Sequence, residues 1–265
     1  MQYKKIVASL LVACGLVCST LPVGAAETMS ESDFAAMLGK VLEKNPELVL
    51  SVLRKHSEDV LTIAQEGANA RRTQMLEDQW KKELGEKKVV DLQGRPVLGA
   101  KKAAVSIVAF SDFTCPYCYQ GYKTVKLMMK KYEGKINLVF KHMPLDKKQV
   151  GYLAAQYFVA ASLQNEAKAW ALYDAFFEQR EALIATGEAF LKKQAQVAGL
   201  DMDRLAKDLK ENTVTTIIDK DLADSEKLNI QGTPFFLVNN LTIRGALDPD
   251  NFEKAVLMAM RYGKR

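Results

Sequence analysis

What most constrains the fold is where Cys115-Pro116-Tyr117-Cys118 sits, between two kinds of apolar pattern. Before it, Ala103 to Phe110 is a run rich in Val, Ile and Phe that reads as a buried strand. After it, Tyr122, Val125, Met128 or Met129, and Tyr132 recur at helical spacing, and Glu133-Gly134 ends that helix. Ile136 to Phe140 reads as a second strand, so the motif occupies the first turn of a strand–helix–strand unit. That placement puts Cys115 at a helix N-terminus. Pro116 fits the first helical turn, where its missing N–H has no partner to lose. Unpaired amides and the helix dipole favour the thiolate there, so Cys115 is the expected nucleophile. Cys118, three residues on, lies deeper on the same face and is the expected resolving thiol. A low pKa also makes Cys115 a good leaving group, which renders a Cys115–Cys118 disulfide oxidising.

The chain has four cysteines, and the other two, Cys14 and Cys18, fall in an N-terminal stretch with the pattern of a secretory leader. Lys4 and Lys5 precede an apolar run from Ile6 to Val17, followed by the small residues Gly24, Ala25 and Ala26. The run is short for a membrane span, and cleavage is expected near Ala26, with export to the periplasm. The rival reading is a lipoprotein signal at Leu11-Val12-Ala13-Cys14, with Cys14 as a lipid anchor. An exported chain that keeps a single Cys-x-x-Cys keeps it for chemistry. Formal net charge is +5, two of it in the leader lysines, and no basic run is interleaved with aromatics, which argues against nucleic acid. His56 and His142, the two histidines, fit no zinc spacing with the thiols, and no metal site is expected.

Three regions follow the leader. Residues 27–88 are polar and helical. Ser30 and Asp33 resemble a capping box, and Asn45-Pro46 ends one helix and starts another. Val49, Leu53, His56, Val60, Ile63 and Gly67 then alternate at steps of four and three, a heptad seam. Its apolar positions predict self-association, as a trimer or dimer. Residues 89–265 form the second domain. Val89 to Leu92 and Val97 to Gly99 read as a small strand pair ahead of the strand–helix–strand unit. A helical insertion spans about residues 147–229, with helices over Gly151–Leu163, Lys168–Arg180, Gly187–Ala198, Asp201–Leu209 and Val214–Lys227. Pro234 to Val238 and Leu241 to Arg244 form a hairpin across Asn239-Asn240, and Asp248-Pro249 opens a last helix. The fold class is α/β.

Gly232-Thr233-Pro234 opens the hairpin, and a cis Thr233–Pro234 bond there would leave the Thr233 backbone free to pair with an extended substrate. The Thr233 hydroxyl would sit near the sulfurs. His142 reads as a strand-end packing residue, and His56 as a flanking residue of the seam.

Phe110-Ser111-Asp112-Phe113-Thr114-Cys115-Pro116-Tyr117-Cys118, the helical insertion and Gly232-Thr233-Pro234-Phe235-Phe236 resemble the DsbA family of thioredoxin-fold proteins. The resemblance covers about residues 88–265. The helical extension is most similar to that of the suppressor-of-copper-sensitivity (ScsC) and Com1-like exported members. The resemblance implies a thioredoxin fold with a helical insertion and an N-terminal helical stalk. It implies Cys115 as attacking thiol, Cys118 as resolving thiol and Pro234 as the cis proline, with Thr233, Pro116 and Tyr117 bordering the substrate. Ala109 stands where the monomeric oxidase of this family has a buried acid, and Tyr117 where it has histidine. Thr233 and Asp112 resemble the isomerase pattern instead, and Asp112 is either a proton relay or a strand-end cap.

The function expected on this reading is rearrangement or reduction of disulfides in unfolded or misoxidised exported proteins. No cofactor is expected beyond the redox-active dithiol. A membrane redox partner, a DsbD-like reductant or a DsbB-like oxidant, would reset it. The alternatives are a dithiol oxidase, and a copper-binding or chaperone protein.

Overall fold

The structure is a computed structural model that describes residues 29–262. The expectations for the leader, Cys14 and Ala26 lie outside those residues. The chain divides into two compact units at Gln65/Glu66. The division falls inside residues 27–88, which the sequence assigned to one region.

The first unit contains α1 (Glu31–Lys44), α2 (Pro46–Lys55) and the start of α3 (Ser57–Glu83). Ser30 caps α1 by accepting the Asp33 N–H at 3.1 Å. Asn45 does not cap α2 with its side chain. Its Nδ2 donates to the Val41 carbonyl and so closes α1 instead. His56 interrupts the seam. Its φ of −113° and ψ of 35° end α2, so Val49 and Leu53 lie on one helix and Val60 and Ile63 on the next. The expected uninterrupted heptad helix is therefore a helix with a break at its third seam position. α1 and α2 bury no residue.

In the second unit the rest of α3 leads to β1 (Val97–Gly99), β2 (Val105–Ser111), α4 (Pro116–Lys131) and β3 (Ile136–His142). The insertion follows as α5 (Val150–Gln164), α6 (Glu166–Glu178), α7 (Arg180–Thr186), α8 (Glu188–Val197), α9 (Met202–Asp208) and α10 (Asn212–Lys227). β4 (Phe235–Val238), β5 (Leu241–Arg244) and α11 (Pro249–Tyr262) complete the chain. The sheet order is β1-β3-β2-β4-β5, with β2 and β3 parallel and the other pairs antiparallel. The expected strand at Val89 to Leu92 is absent: those residues are coil, and Val89 is exposed.

Alternation along the strands gives the sheet two apolar faces. Ile107, Ala109, Leu138, Phe140, Phe236 and Val238 join the large core shared with α4 and the insertion. Val108, Phe110, Val139, Phe235 and Leu237 pack with Ile230 on the other side. The free edge of β5 is not left bare. Glu83 accepts the Thr242 N–H at 2.7 Å, and Trp80, fully buried, donates Nε1–H to the Thr242 carbonyl at 2.8 Å. α3 thereby satisfies groups that would otherwise template another strand.

Behind β3 lies a buried ion cluster. The Lys141 ammonium is 2.6 Å from Asp224 and 3.2 Å from Asp221, and Arg95 is 2.8 Å from Asp221. These bonds tie β3, α10 and the segment before β1 together. Burial raises the pKa of Asp221, whereas Asp224 is lowered because hydrogen bonds from Lys141 and the Asp91 N–H outweigh its burial.

Candidate active site: the Cys115–Cys118 dithiol

β2 runs through the core and delivers the chain to α4 at the C-terminal edge of the sheet. Cys115 is the N-cap of α4 with Pro116 in its first turn. Both cysteines are free thiols, Cys115 7 % and Cys118 1 % exposed, so the second lies deeper on the same helix face. The Thr233–Pro234 bond is cis, and the Thr233 carbonyl oxygen lies 3.8 Å from Cys115 Sγ. The sulfurs, Thr233 and Pro234 are thus brought together. Tyr117, 61 % exposed, stands at the rim.

The two sulfurs are electrostatically unlike. The Cys115 pKa is drawn down to about 5, chiefly by hydrogen bonding from the Cys118 thiol. Burial opposes this, and the N–H groups of Cys118 and Tyr117 and the Thr233 hydroxyl assist it. Cys118 is pushed up, first by burial and then by its hydrogen bond to the Cys115 sulfur. One sulfur is therefore a thiolate at neutral pH and its partner keeps the proton, the division of labour that thiol exchange requires.

Two glycines set the approach of the elements. A Cβ on Gly121 of α4 would stand 2.7 Å from the Phe236 ring and 3.3 Å from Pro234 Cγ, so the helix reaches the proline strand only because that residue is glycine. A Cβ on Gly151 of α5 would stand 2.6 Å from Asp112 Oδ1. Neither was singled out from the sequence, although a glycine inside a helix costs about 1 kcal/mol relative to alanine and so signals a packing demand.

Asp112 is buried at the end of β2. Its carboxylate accepts the Thr114 N–H and hydroxyl, both at 2.7 Å, and the Leu145 N–H at 3.0 Å. Its own N–H faces Cys118 Sγ at 3.5 Å, and its carbonyl accepts the Cys115 N–H at 3.2 Å. Phe113, next in the chain, stacks on Phe140 at 5.0 Å and meets Phe176 edge-on at 5.2 Å, which seats the loop in the aromatic core of the insertion. Arg180, also not singled out, donates Nε–H to the Thr114 carbonyl at 2.7 Å. His142 is buried among Phe113, Phe140 and Phe158, and burial pushes its pKa down to about 3, so it is a neutral packing residue.

Residues 91–257 match the thioredoxin family. The chain belongs to that family. It is 29% identical over 175 residues to the Na(+)/H(+) antiporter NhaA 3 of Salinispora tropica, covering 64% of this chain and 25% of that protein. The thioredoxin-family chain thus spans about a quarter of the length of that antiporter, and among the described residues no helix is long and apolar enough to cross a membrane. It is 28% identical over 166 residues to the probable disulfide bond formation protein D of Bacillus cereus, covering 60% of this chain and 76% of that one. The crystal structure of Proteus mirabilis ScsC in a compact conformation superposes with a TM-score of 0.57 at 20% identity, covering 89% of this chain and 100% of that one. The architecture is accordingly the thioredoxin fold with a helical insertion between β3 and β4.

Proposed function

We propose that this protein is an exported thiol–disulfide oxidoreductase that rearranges or reduces disulfides in periplasmic proteins. The observation that carries this reading is the split between the two sulfurs, a thiolate at the mouth of the site and a buried thiol behind it, beside the carbonyl of Thr233. The Cys115 thiolate attacks one sulfur of a client disulfide. A mixed disulfide forms, and the other client sulfur leaves as a thiolate that takes a proton from solvent. In isomerisation that client thiol attacks a second client disulfide, the rearranged client expels Cys115 as thiolate, and no net electrons are transferred. In reduction Cys118 loses its proton and attacks Cys115 Sγ. The client leaves as a dithiol, and the protein holds a Cys115–Cys118 disulfide that a membrane reductant must reduce by two electrons.

Thr233 and Pro234 border the client strand, with Pro116 and Tyr117 opposite. Strand-like pairing to the Thr233 backbone is tolerant of client sequence. For Asp112 the geometry favours holding the loop over relaying protons, since its carboxylate is occupied by Thr114 and Leu145. The exposed apolar side chains of the first unit, including Val49, Leu53, Val60 and Ile63, support self-association.

The same site run in reverse is a dithiol oxidase. The low Cys115 pKa favours that second reading because it makes Cys115 a good leaving group. Refolding of scrambled ribonuclease separates the two: an isomerase recovers activity as the reduced dithiol, and an oxidase acts on reduced ribonuclease as the disulfide.

A further inference from the structure

Thr114, the residue before the nucleophile, has every polar group engaged. Its N–H and hydroxyl both go to Asp112 Oδ1, and its carbonyl receives Arg180 Nε–H. The two holders come from different parts of the fold. Asp112 directly follows β2, whereas Arg180 begins α7 in the helical insertion. They also carry opposite charges, and they hold Thr114 from its two sides, Asp112 at its N–H and hydroxyl and Arg180 at the carbonyl of the peptide that leads into Cys115. Arg180 is half-buried at the wall of a groove of about 390 Å³ lined also by Tyr119, Phe177 and Glu181. Tyr119 lies one helical turn beyond the nucleophile and donates its N–H to the Cys115 carbonyl at 3.1 Å. The groove therefore borders the same turn of α4 as the reactive sulfur.

We propose that Arg180 and Asp112 are positioning residues that tune Cys115 in opposite directions through Thr114, the insertion supplying the cation and the sheet the anion. The proposal rests on the reading of Cys115 as the attacking thiolate. Together these bonds fix Thr114, the residue that leads into the sulfur. The guanidinium stabilises the thiolate, whereas the Asp112 carboxylate opposes it and limits how acidic the thiol becomes.

The other groups around Cys115 do not take over either role. From α4 come Cys118 and the Tyr117 N–H, and from the segment before β4 comes the Thr233 hydroxyl. His142, from β3, is buried and neutral. Glu178, two residues before Arg180 and lining the same groove, is already held by Lys126 and the Tyr122 hydroxyl, each at 2.8 Å. Glu181 is exposed on α7, so solvent screens it. Arg180 is thus the cation whose hydrogen bond ends on the residue joined to the nucleophile.

The test is the thiolate absorbance titration of the reduced full-length protein at 240 nm, with melting temperature recorded on the same samples. Arg180→Met is expected to raise the Cys115 midpoint by about half to one pH unit, and Arg180→Glu by more. Asp112→Asn is expected to lower it by a similar amount, about half a unit. Alkylation of Arg180→Met at pH 5 should slow about two- to fivefold while the rate at pH 8 stays near wild type. A scaffold that merely holds the loop gives another pattern: both substitutions loosen the turn and move the midpoint upward together. That shared direction would overturn the proposal. So would a midpoint that the two Arg180 variants leave within about 0.2 units. Arg180 is half-buried, so its series decides the matter even where Asp112→Asn fails to fold. A wild-type midpoint near the ordinary thiol range would sink the attacking-thiolate reading and this proposal with it. A wild-type midpoint near 5 that the Arg180 series does not move sinks this proposal alone.

Discussion

The two units of this chain treat apolar side chains in opposite ways. In residues 66–262 they are buried on both faces of a sheet and in an aromatic cluster around Phe113. In α1 and α2 not one residue is buried, although Phe34, Leu38, Val52 and Leu53 are all there. Burying such side chains is worth about 1.5–3 kcal/mol each, so the second unit holds its own fold and the first leaves that stabilisation unclaimed. On the function proposed above, this stripe is the surface for self-association. Chemistry and assembly then fall to different stretches of the chain.

The substitutions that break the comparison hardest are those in the second unit. Cys115→Ser should abolish mixed-disulfide formation, with a loss of about a thousandfold or more in exchange rate, because the thiolate is the nucleophile. Trapping with a disulfide-bonded model client checks it. Lys141→Met should destabilise the protein by about 3–5 kcal/mol in denaturant melts, because it removes the buried cation that Asp221 and Asp224 share, leaving Asp221 with Arg95 only. A paired substitution in the first unit, Val49→Glu with Leu53→Glu, should leave the melting of the catalytic unit within about 0.5 kcal/mol while shifting the protein toward monomer in sedimentation. If it unfolds the catalytic unit instead, the division of labour is wrong.

A smaller effect follows from Cys115. Its folded pKa lies below the ordinary thiol value, so ionisation stabilises the reduced fold. That contribution is complete above the unfolded pKa near 9, shrinks as the pH falls, and is gone below about 5. Reduced wild type should therefore lose stability relative to Cys115→Ser between pH 9 and pH 5, as measured by paired urea melts.

The local parts of the site were legible in the sequence. A buried strand, a Cys-Pro start and a helix in succession place Cys115 without any tertiary information, and Gly232-Thr233-Pro234 marks the facing turn. What the sequence hid were contacts between distant segments. Arg180 reads as the end of α6, yet the structure starts the short helix α7 there and turns its guanidinium onto Thr114, 66 residues away. Gly151 reads as a helix start and is in fact the space for the Asp112 carboxylate. Val89 to Leu92 has strand composition but no neighbouring strand to pair with, and β1 alone takes the sheet edge. The break at His56 is silent because a seam stepping by four and three scores the same whether the helix runs on or stops.

The most direct test of the account combines light scattering with scrambled-ribonuclease refolding, on residues 27–265 and on a form starting near Glu66. The account predicts an oligomer that restores ribonuclease activity and a folded monomer that still exchanges disulfides but restores little. A monomer over residues 27–265, with the shortened form isomerising equally well, would contradict it.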